Sequence, residues 1–459
     1  MTPFGWARIA RLGLVQMAMG AIVVLTTSIL NRVMVVELAL PALLPGVLVA
    51  LHYAVQLARP RMGFGSDVGE RRTPWIVGGM GVLALGGVVA ALATVWMASH
   101  PTAGMVLAML GFALVGLGVS AAGTSLLVLL AKRVPEGRRA GAATLVWMMM
   151  IAGFAITAGL AGHWLDPYSP ERLLLVSSSV SVLALFLTAT ALRGLEGAAP
   201  ISGASPAETA EKPRFREALA QVWHEPVARR FTIFVFVSML AFSAQDLILE
   251  PFAGTVFGYT PGESTQLSGV QHGGVLAGML LVALAGAIGA RFSHHAVLRH
   301  AGSLRGWTIG GCFASAMVLF ALMFAGLQGM GWPLNATVFA LGVANGAFSI
   351  GAIGSMMRLA AQGRQAREGV RMGLWGAAQA VAFGLGGLVG TGASDLARWL
   401  IASPGAAYAM VFALQALAFL LSAVLAWRLA APVARAASVT GFHHAGESFA
   451  AGSTPRPQS

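Results

Sequence analysis

The chain has 459 residues, of which 57% are hydrophobic and 10% charged, with a formal net charge of +12. That balance belongs to a polytopic membrane protein and excludes a soluble domain built round one buried core. Cys312 is the single cysteine, so an intramolecular disulfide and a metal–thiolate cluster are excluded.

The N-terminus, MTPFGWARIARLG, carries arginines ahead of an apolar run, as a signal peptide would. No A-x-A-like cleavage site follows at short range and many further apolar runs do, which predicts a retained first helix. Runs long enough to span a bilayer recur twelve times, at 12–31, 41–58, 74–97, 104–131, 140–164, 172–192, 231–257, 266–290, 307–327, 334–357, 372–394 and 405–427. With both termini on one side, that side takes all of the 29 Lys and Arg residues except Arg32, Arg172 and Arg398. The positive-inside rule then places both termini in the cytoplasm. The basic balance is a topology signal, and nucleic acid drops out as a partner.

These runs divide six and six. Residues 1–193 form one half, 194–230 a connection, 231–429 a second half and 430–459 a tail. The connection opens with the small, Pro-containing GLEGAAPISGASPAETAEKP, which reads as flexible linker, and FREALAQVWHEP reads as a short amphipathic helix at the membrane surface. The tail composition predicts disorder.

The seventh run, FTIFVFVSMLAFSAQDLILEPFAGTVFG, holds two carboxylates, Asp246 and Glu250, on one helical face with Gln245 beside them. An acid at the centre of a span costs ~2.5–3.5 kcal/mol on insertion scales, so each needs a physical reason. At ~1.5 Å per residue from Phe231, Asp246 is ~22 Å deep and Glu250 ~28 Å, in a hydrocarbon layer of ~30 Å. Pro251 removes a backbone donor, so the carbonyl of Leu247 needs another partner and a bend is expected. The first run has a similar order of groups: Asn31 and Arg32 precede Glu37 and Pro41. This echo, and a second one between the fifth and eleventh runs, predicts an all-α membrane protein. Its twelve helices would form two parallel-repeat halves of major facilitator type. Arg32 is ~30 Å along its helix, level with Glu250, and is expected to approach Asp246 or Glu250.

Between the second and third runs, GFGSDVGERRTPW resembles the major facilitator loop signature, with Gly63, Asp67, Gly69, Arg71 and Arg72 matching and Glu70 shifting the register by one. A tight Gly turn with an acid and two arginines would tie helix ends together. AQDLILEPFAGTVFG resembles the PucC/LhaA family, the bacteriochlorophyll-delivery branch of the major facilitators. So do LNRVMVVELALP at 30–41, RRTPW at 71–75 and RMGLWGAAQAVAFGLGG at 371–387. The resemblance runs over residues 8–430 apart from the linker. It implies an assembly factor in the bacterial inner membrane that handles bacteriochlorophyll or delivers it to light-harvesting antenna polypeptides.

Of the ten histidines, only His52 and His272 fall well within spans. A neutral imidazole suits a chlorin magnesium, so both are candidate pigment ligands; a helix-to-helix hydrogen bond explains either equally well. Glycine stripes at 116–125, 153–162 and 384–392 leave room for close helix packing or for a flat ligand. Two further readings stand beside pigment handling. One is a proton-coupled transporter of a small solute, with Asp246 or Glu250 taking up the proton; the other is a pigment-free scaffold for antenna polypeptides. No nucleophile–base set, metal-ligand spacing or phosphate loop points to an enzyme.

Overall fold

In hydrocarbon a backbone has to satisfy its hydrogen bonds within its own segment, so apolar runs of this length fold as helices. The computed structural model describes residues 4–58, 71–196, 223–291, 303–361 and 368–429. The first six helices are α1 (Trp6–Glu37), α2 (Leu43–Val55), α3 (Thr73–Met97), α4 (Pro101–Arg133), α5 (Glu136–Leu165) and α6 (Pro170–Leu192). The second six are α7 (Pro226–Phe257), α8 (Pro261–Arg291), α9 (Leu304–Gln328), α10 (Leu334–Ala361), α11 (Glu368–Leu400) and α12 (Pro404–Arg428). Prolines sit in the first turn of α3, α4, α6, α7 and α12, where the missing N–H has no intrahelical partner to lose.

Among the described residues, eleven of these helices are long and apolar enough to cross a membrane. The twelfth, α2, has 13 residues and runs into a 3-10 turn at Gln56–Ala58. The chain is a multi-pass membrane protein. Helix α1 extends beyond the expected 12–31, so Arg32 and Glu37 both lie inside it. Helix α7 starts at Pro226 rather than at 231, inside the expected connection. Gly63, Asp67 and Gly69, most of the linker and the tail lie outside the described residues.

Each half has its own core. Phe231, Phe234, Phe252, Phe348, Phe412, Phe419 and Trp375 interlock in the second half, whereas smaller clusters of Leu, Ile, Val, Met and Ala fill the first. Lipid tails are as apolar as leucine, so contact between the halves has to come from close packing and polar links. The glycine stripes supply the packing. A Cβ on Gly269 of α8 would collide with the backbone of Gly159 in α5, and one on Gly46 of α2 would strike Thr391 of α11.

Polar links tie both ends of the bundle. At the end opposite the termini, Asp395 of α11 accepts from the backbone N–H groups of Ala42 (3.0 Å) and Leu43 (2.7 Å) at the start of α2. In the mirrored place, Asp166 at the end of α5 accepts from Thr260 Oγ1 (3.0 Å) at the start of α8. Its carboxylate lies against Gly262, where any side chain would displace it. Thr260 and Glu263 form a capping box there, Glu263 Oε2 accepting from Thr260 N at 2.8 Å and Thr260 Oγ1 from Glu263 N at 3.1 Å. Each half therefore sets an aspartate on the positive N-terminus of a helix in the other.

At the terminal end Glu196, in the first residues of the connection, meets Arg72. Its carboxylate accepts from Arg72 N (2.7 Å) and Thr73 N (2.8 Å), capping α3, while Arg133 Nη2 donates to its carbonyl (2.7 Å). Burial alone would raise the Glu196 carboxyl, but hydrogen bonds from Arg72 and Thr73 and the Arg72 charge together hold it below its ordinary value. A lowered folded value means that its stabilisation is complete above the unfolded pKa of about 4.3 and is lost as pH falls through the folded value. Glu196→Gln should cost about 1 kcal/mol at neutral pH. In thermal unfolding across pH, the gap between wild type and variant should close in acid. A gap constant over the whole range would show that the charge contributes nothing.

Candidate functional site

Helix α1 is not regular where its polar residues lie. Two π-helical stretches, Leu25–Ile29 and Val33–Glu37, flank a single α turn at Leu30–Arg32. Such widened turns gather at functional positions because they swing side chains off the regular helical face. Helix α7 is broken opposite them: one segment ends at Asp246, and the next starts at Leu249 with Pro251 in its first turn. The carbonyl that Pro251 leaves without a donor is Leu247 O. Asn31 Nδ2 donates to it across the two halves at 2.6 Å. The bend expected from Pro251 is present, and a side chain of the other half satisfies it.

Arg32 is 2% exposed and folds back along its own helix, Nη1 bonding Glu37 Oε1 at 2.9 Å. Its Nη2 donates to the carbonyl of Tyr259 at 2.8 Å, just past the end of α7. The ion pair is thus with Glu37 rather than with Asp246 or Glu250, although Arg32 is close enough to act on Glu250 through its charge. A planar guanidinium needs a flat bed, and Gly254 provides it: a Cβ there would run into Arg32 Nε and Cζ. Tyr168 and Tyr259 form the rim of this site. Burial raises both phenols, with the neighbouring charges of Glu37 and Glu263 adding to it, so both stay neutral donors.

Glu250 is 1% exposed, and neither carboxylate oxygen meets hydrogen-bond geometry with a partner among the described residues. Its polar neighbours are the hydroxyls of Ser28 on α1 and of Thr265 and Ser268 on α8. Ser28 Oγ and Ser268 Oγ themselves bond across the halves at 3.2 Å. One turn earlier on α7, Asp246 is partly exposed despite its depth, while Gln245 is fully buried with both amide atoms unpartnered among the described residues.

The two histidines have different surroundings. His52 is buried, and its Nε2 meets the side-chain amide of Gln56 one turn on at 2.7 Å. His272 sits where α8 faces α5, its ring edge-on to Phe154 at 5.0 Å between centroids. Its Nδ1 contacts the carbonyl of Ser268 at 2.8 Å. A carbonyl only accepts, so the proton is on Nδ1 and the lone pair of the neutral ring is on Nε2. That is the tautomer that ligation through Nε2 requires.

Arg32, Glu37 and Glu250 are thus gathered at the α1–α7 contact, with Asp246 one turn earlier on α7 and His272 reached through Ser268. His52 is elsewhere, and Arg71 and Arg72 stand at the terminal end. Ser28, Ser268, Gly254 and Tyr259 were not singled out by sequence reasoning, and Asn31 only as a neighbour of Arg32. A lone serine in an apolar span gives no signal of its own.

Removing the Asn31 amide should leave Leu247 O unpartnered, at a cost of about 1–3 kcal/mol. Asn31→Ala should therefore lower the midpoint of thermal unfolding. In a Pro251→Ala background the helix regains its own donor, and the same substitution should cost much less. Additive losses would mean that the two residues do not share this carbonyl.

Known proteins resemble this chain over nearly its whole length. Residues 29–434 match the family model described as PUCC protein. The "Bacteriochlorophyll synthase 44.5 kDa chain" of Rhodobacter capsulatus is 51% identical over 422 residues, covering 92% of this chain and 95% of that protein. "Protein PucC" of Rhodobacter capsulatus is 31% identical over 441 residues, covering 92% and 91%. Among solved structures, the peptide transporter POT in complex with sulfate superposes with a TM-score of 0.67 at 14% identity, covering 94% of this chain and 96% of that one. A variant of the nucleoside transporter NupG gives 0.64 at 13%, covering 92% and 99%. At such low identity these two show the fold alone, which is of major facilitator type. A family match through both halves, with a relative identical at half of its positions, leaves one assignment: the chain belongs to the PUCC protein family.

Proposed function

We propose that this protein handles bacteriochlorophyll during assembly of light-harvesting complexes, as a carrier in the bacterial inner membrane with both termini in the cytoplasm. The observation that carries the reading is the 51% identity, over nearly the whole chain, to a protein named after bacteriochlorophyll. The distribution of Lys and Arg supports the orientation. The role is carriage and not catalysis, and antenna polypeptides are the partners that would receive the pigment.

Two features of the bundle support a pigment. His272 presents its Nε2 lone pair with Nδ1 held by Ser268 O, and that Nε2 has no hydrogen-bond partner among the described residues. Of the two histidines it is the one prepared for a magnesium ion, since Nε2 of His52 is already engaged by Gln56. The second feature is an apolar groove on the outside of α8, α9 and α10, with a volume of about 740 Å³ and lined by Leu281, Gly306, Trp307, Gly310, Phe339 and Val343. That volume falls in the ~300–1,000 Å³ range of small-molecule sites. It opens to lipid, so a pigment with a hydrocarbon tail could enter sideways without an aqueous path. The groove lies within the second half and not between the halves.

Pigment content of the protein purified from a photosynthetic host tests this reading, by visible and near-infrared absorbance. Wild type should carry bacteriochlorophyll, His272→Leu should lose most of it, and His52→Leu should retain it. Gly310 lines the groove and has open space where a Cβ would stand, so Gly310→Phe projects a ring from that position and should lower pigment content. A wild type free of pigment would favour the scaffold or the solute transporter instead.

A further inference from the structure

Glu250 is the buried acid that pigment handling leaves without a task. Buried carboxylates are tolerated when paired or fully hydrogen-bonded, and this one is neither among the described residues. Arg32 is the charged group that acts on it from a neighbouring helix, and that guanidinium already bonds Glu37 and Tyr259 O. Counting Arg32, Glu37 and Glu250 together, an ionised Glu250 leaves one negative charge in excess inside the bundle. Asp246 lies one turn away on its own helix. His272 lies two turns along α8 from Thr265.

The hydroxyl protons do not remove that excess. Thr265 Oγ1 donates to Pro261 O at 2.8 Å, so towards Glu250 it can only accept. Ser28 and Ser268 use one of their two protons on each other. The three hydroxyls therefore turn mostly lone pairs towards Glu250. Such surroundings suit an acid that donates, not a carboxylate that accepts.

We propose that Glu250, with Ser28, Thr265 and Ser268, is an exchangeable proton site set between the two halves. Loaded, the carboxylic acid donates to a hydroxyl oxygen and bridges α7 to α1 or α8. Empty, the carboxylate faces lone pairs and loosens the contact of Ser28 with Ser268, which is the polar link between α1 and α8 at this depth. Occupancy thus controls how firmly the halves hold together. Ser268 also bears the carbonyl that orients His272, so the same event reaches the imidazole.

The test is infrared difference spectroscopy between acid and alkaline buffer on the full-length protein in lipid nanodiscs. Wild type should show the carbonyl band of a protonated carboxylic acid that disappears as pH rises. The band should be lost in Glu250→Gln, an isostere of the loaded form, and kept in Asp246→Asn. Thr265→Val removes an acceptor and should move the midpoint towards acid by up to about one pH unit. A band that survives Glu250→Gln, a midpoint unmoved by Thr265→Val, or a band that responds to sodium at constant pH would each overturn the assignment. The readout needs no pigment, so failure of pigment binding and failure of this site are seen separately.

Discussion

The carbonyl of Leu247 has no donor in its own helix, because the residue four places on is Pro251, and in hydrocarbon no water replaces the missing partner. Asn31 of the opposite half supplies it at 2.6 Å. The surrounding geometry depends on that bond. It requires α1 to approach the break in α7, which brings Arg32 over Gly254 and Ser28 next to Ser268. The π-helical turns on either side of Leu30–Arg32 let one short stretch of α1 aim an amide, a guanidinium and a hydroxyl at the same neighbour.

Charge is distributed unevenly around this contact. Arg32 and Glu37 lie five apart in one helix, and the widened turn lets them meet without help from the other half. Glu37 is 34% exposed, so its end of the pair is partly solvated, and the cost of desolvation falls mainly on the guanidinium. Glu250 receives only the longer-range influence of that pair. No Arg32–Glu250 salt bridge joins the halves here; Arg32 reaches the other half through the Tyr259 carbonyl, beside the amide and hydroxyl contacts of Asn31 and Ser28.

The two ends of the bundle are joined by different means. Opposite the termini, Asp166 and Asp395 each sit at a helix start of the other half, an arrangement that follows the internal repeat. Both contacts use helix dipoles and backbone or hydroxyl donors and not a basic side chain, which suits a side of the bundle that carries few Lys and Arg. At the terminal end, Glu196 ties the start of the connection to α3 and α4 of its own half. That anchor fixes where the linker leaves the first half.

Span number, the internal repeat and the acids of the seventh helix could be read from the chain, because each is a local property: hydropathy over a window, the order of residue types, a proline four places after a carbonyl. The need for a partner at Leu247 was equally legible, since proline chemistry alone creates it. Which group would answer was not, because Asn31 is 216 positions away and only the packing of α1 on α7 brings it there. The same holds for Arg32, whose level in the membrane matched Glu250 but whose pairing with Glu37 turned on a π-helical turn that residue spacing does not announce. His52 and His272 looked alike as lone imidazoles in corresponding spans; Gln56 beside one and the Ser268 carbonyl beside the other separated them. Sequence determined which groups had to be satisfied inside the membrane, and tertiary structure decided by whom, because a hydrogen bond depends on distances of about 3 Å that only the packed helices set.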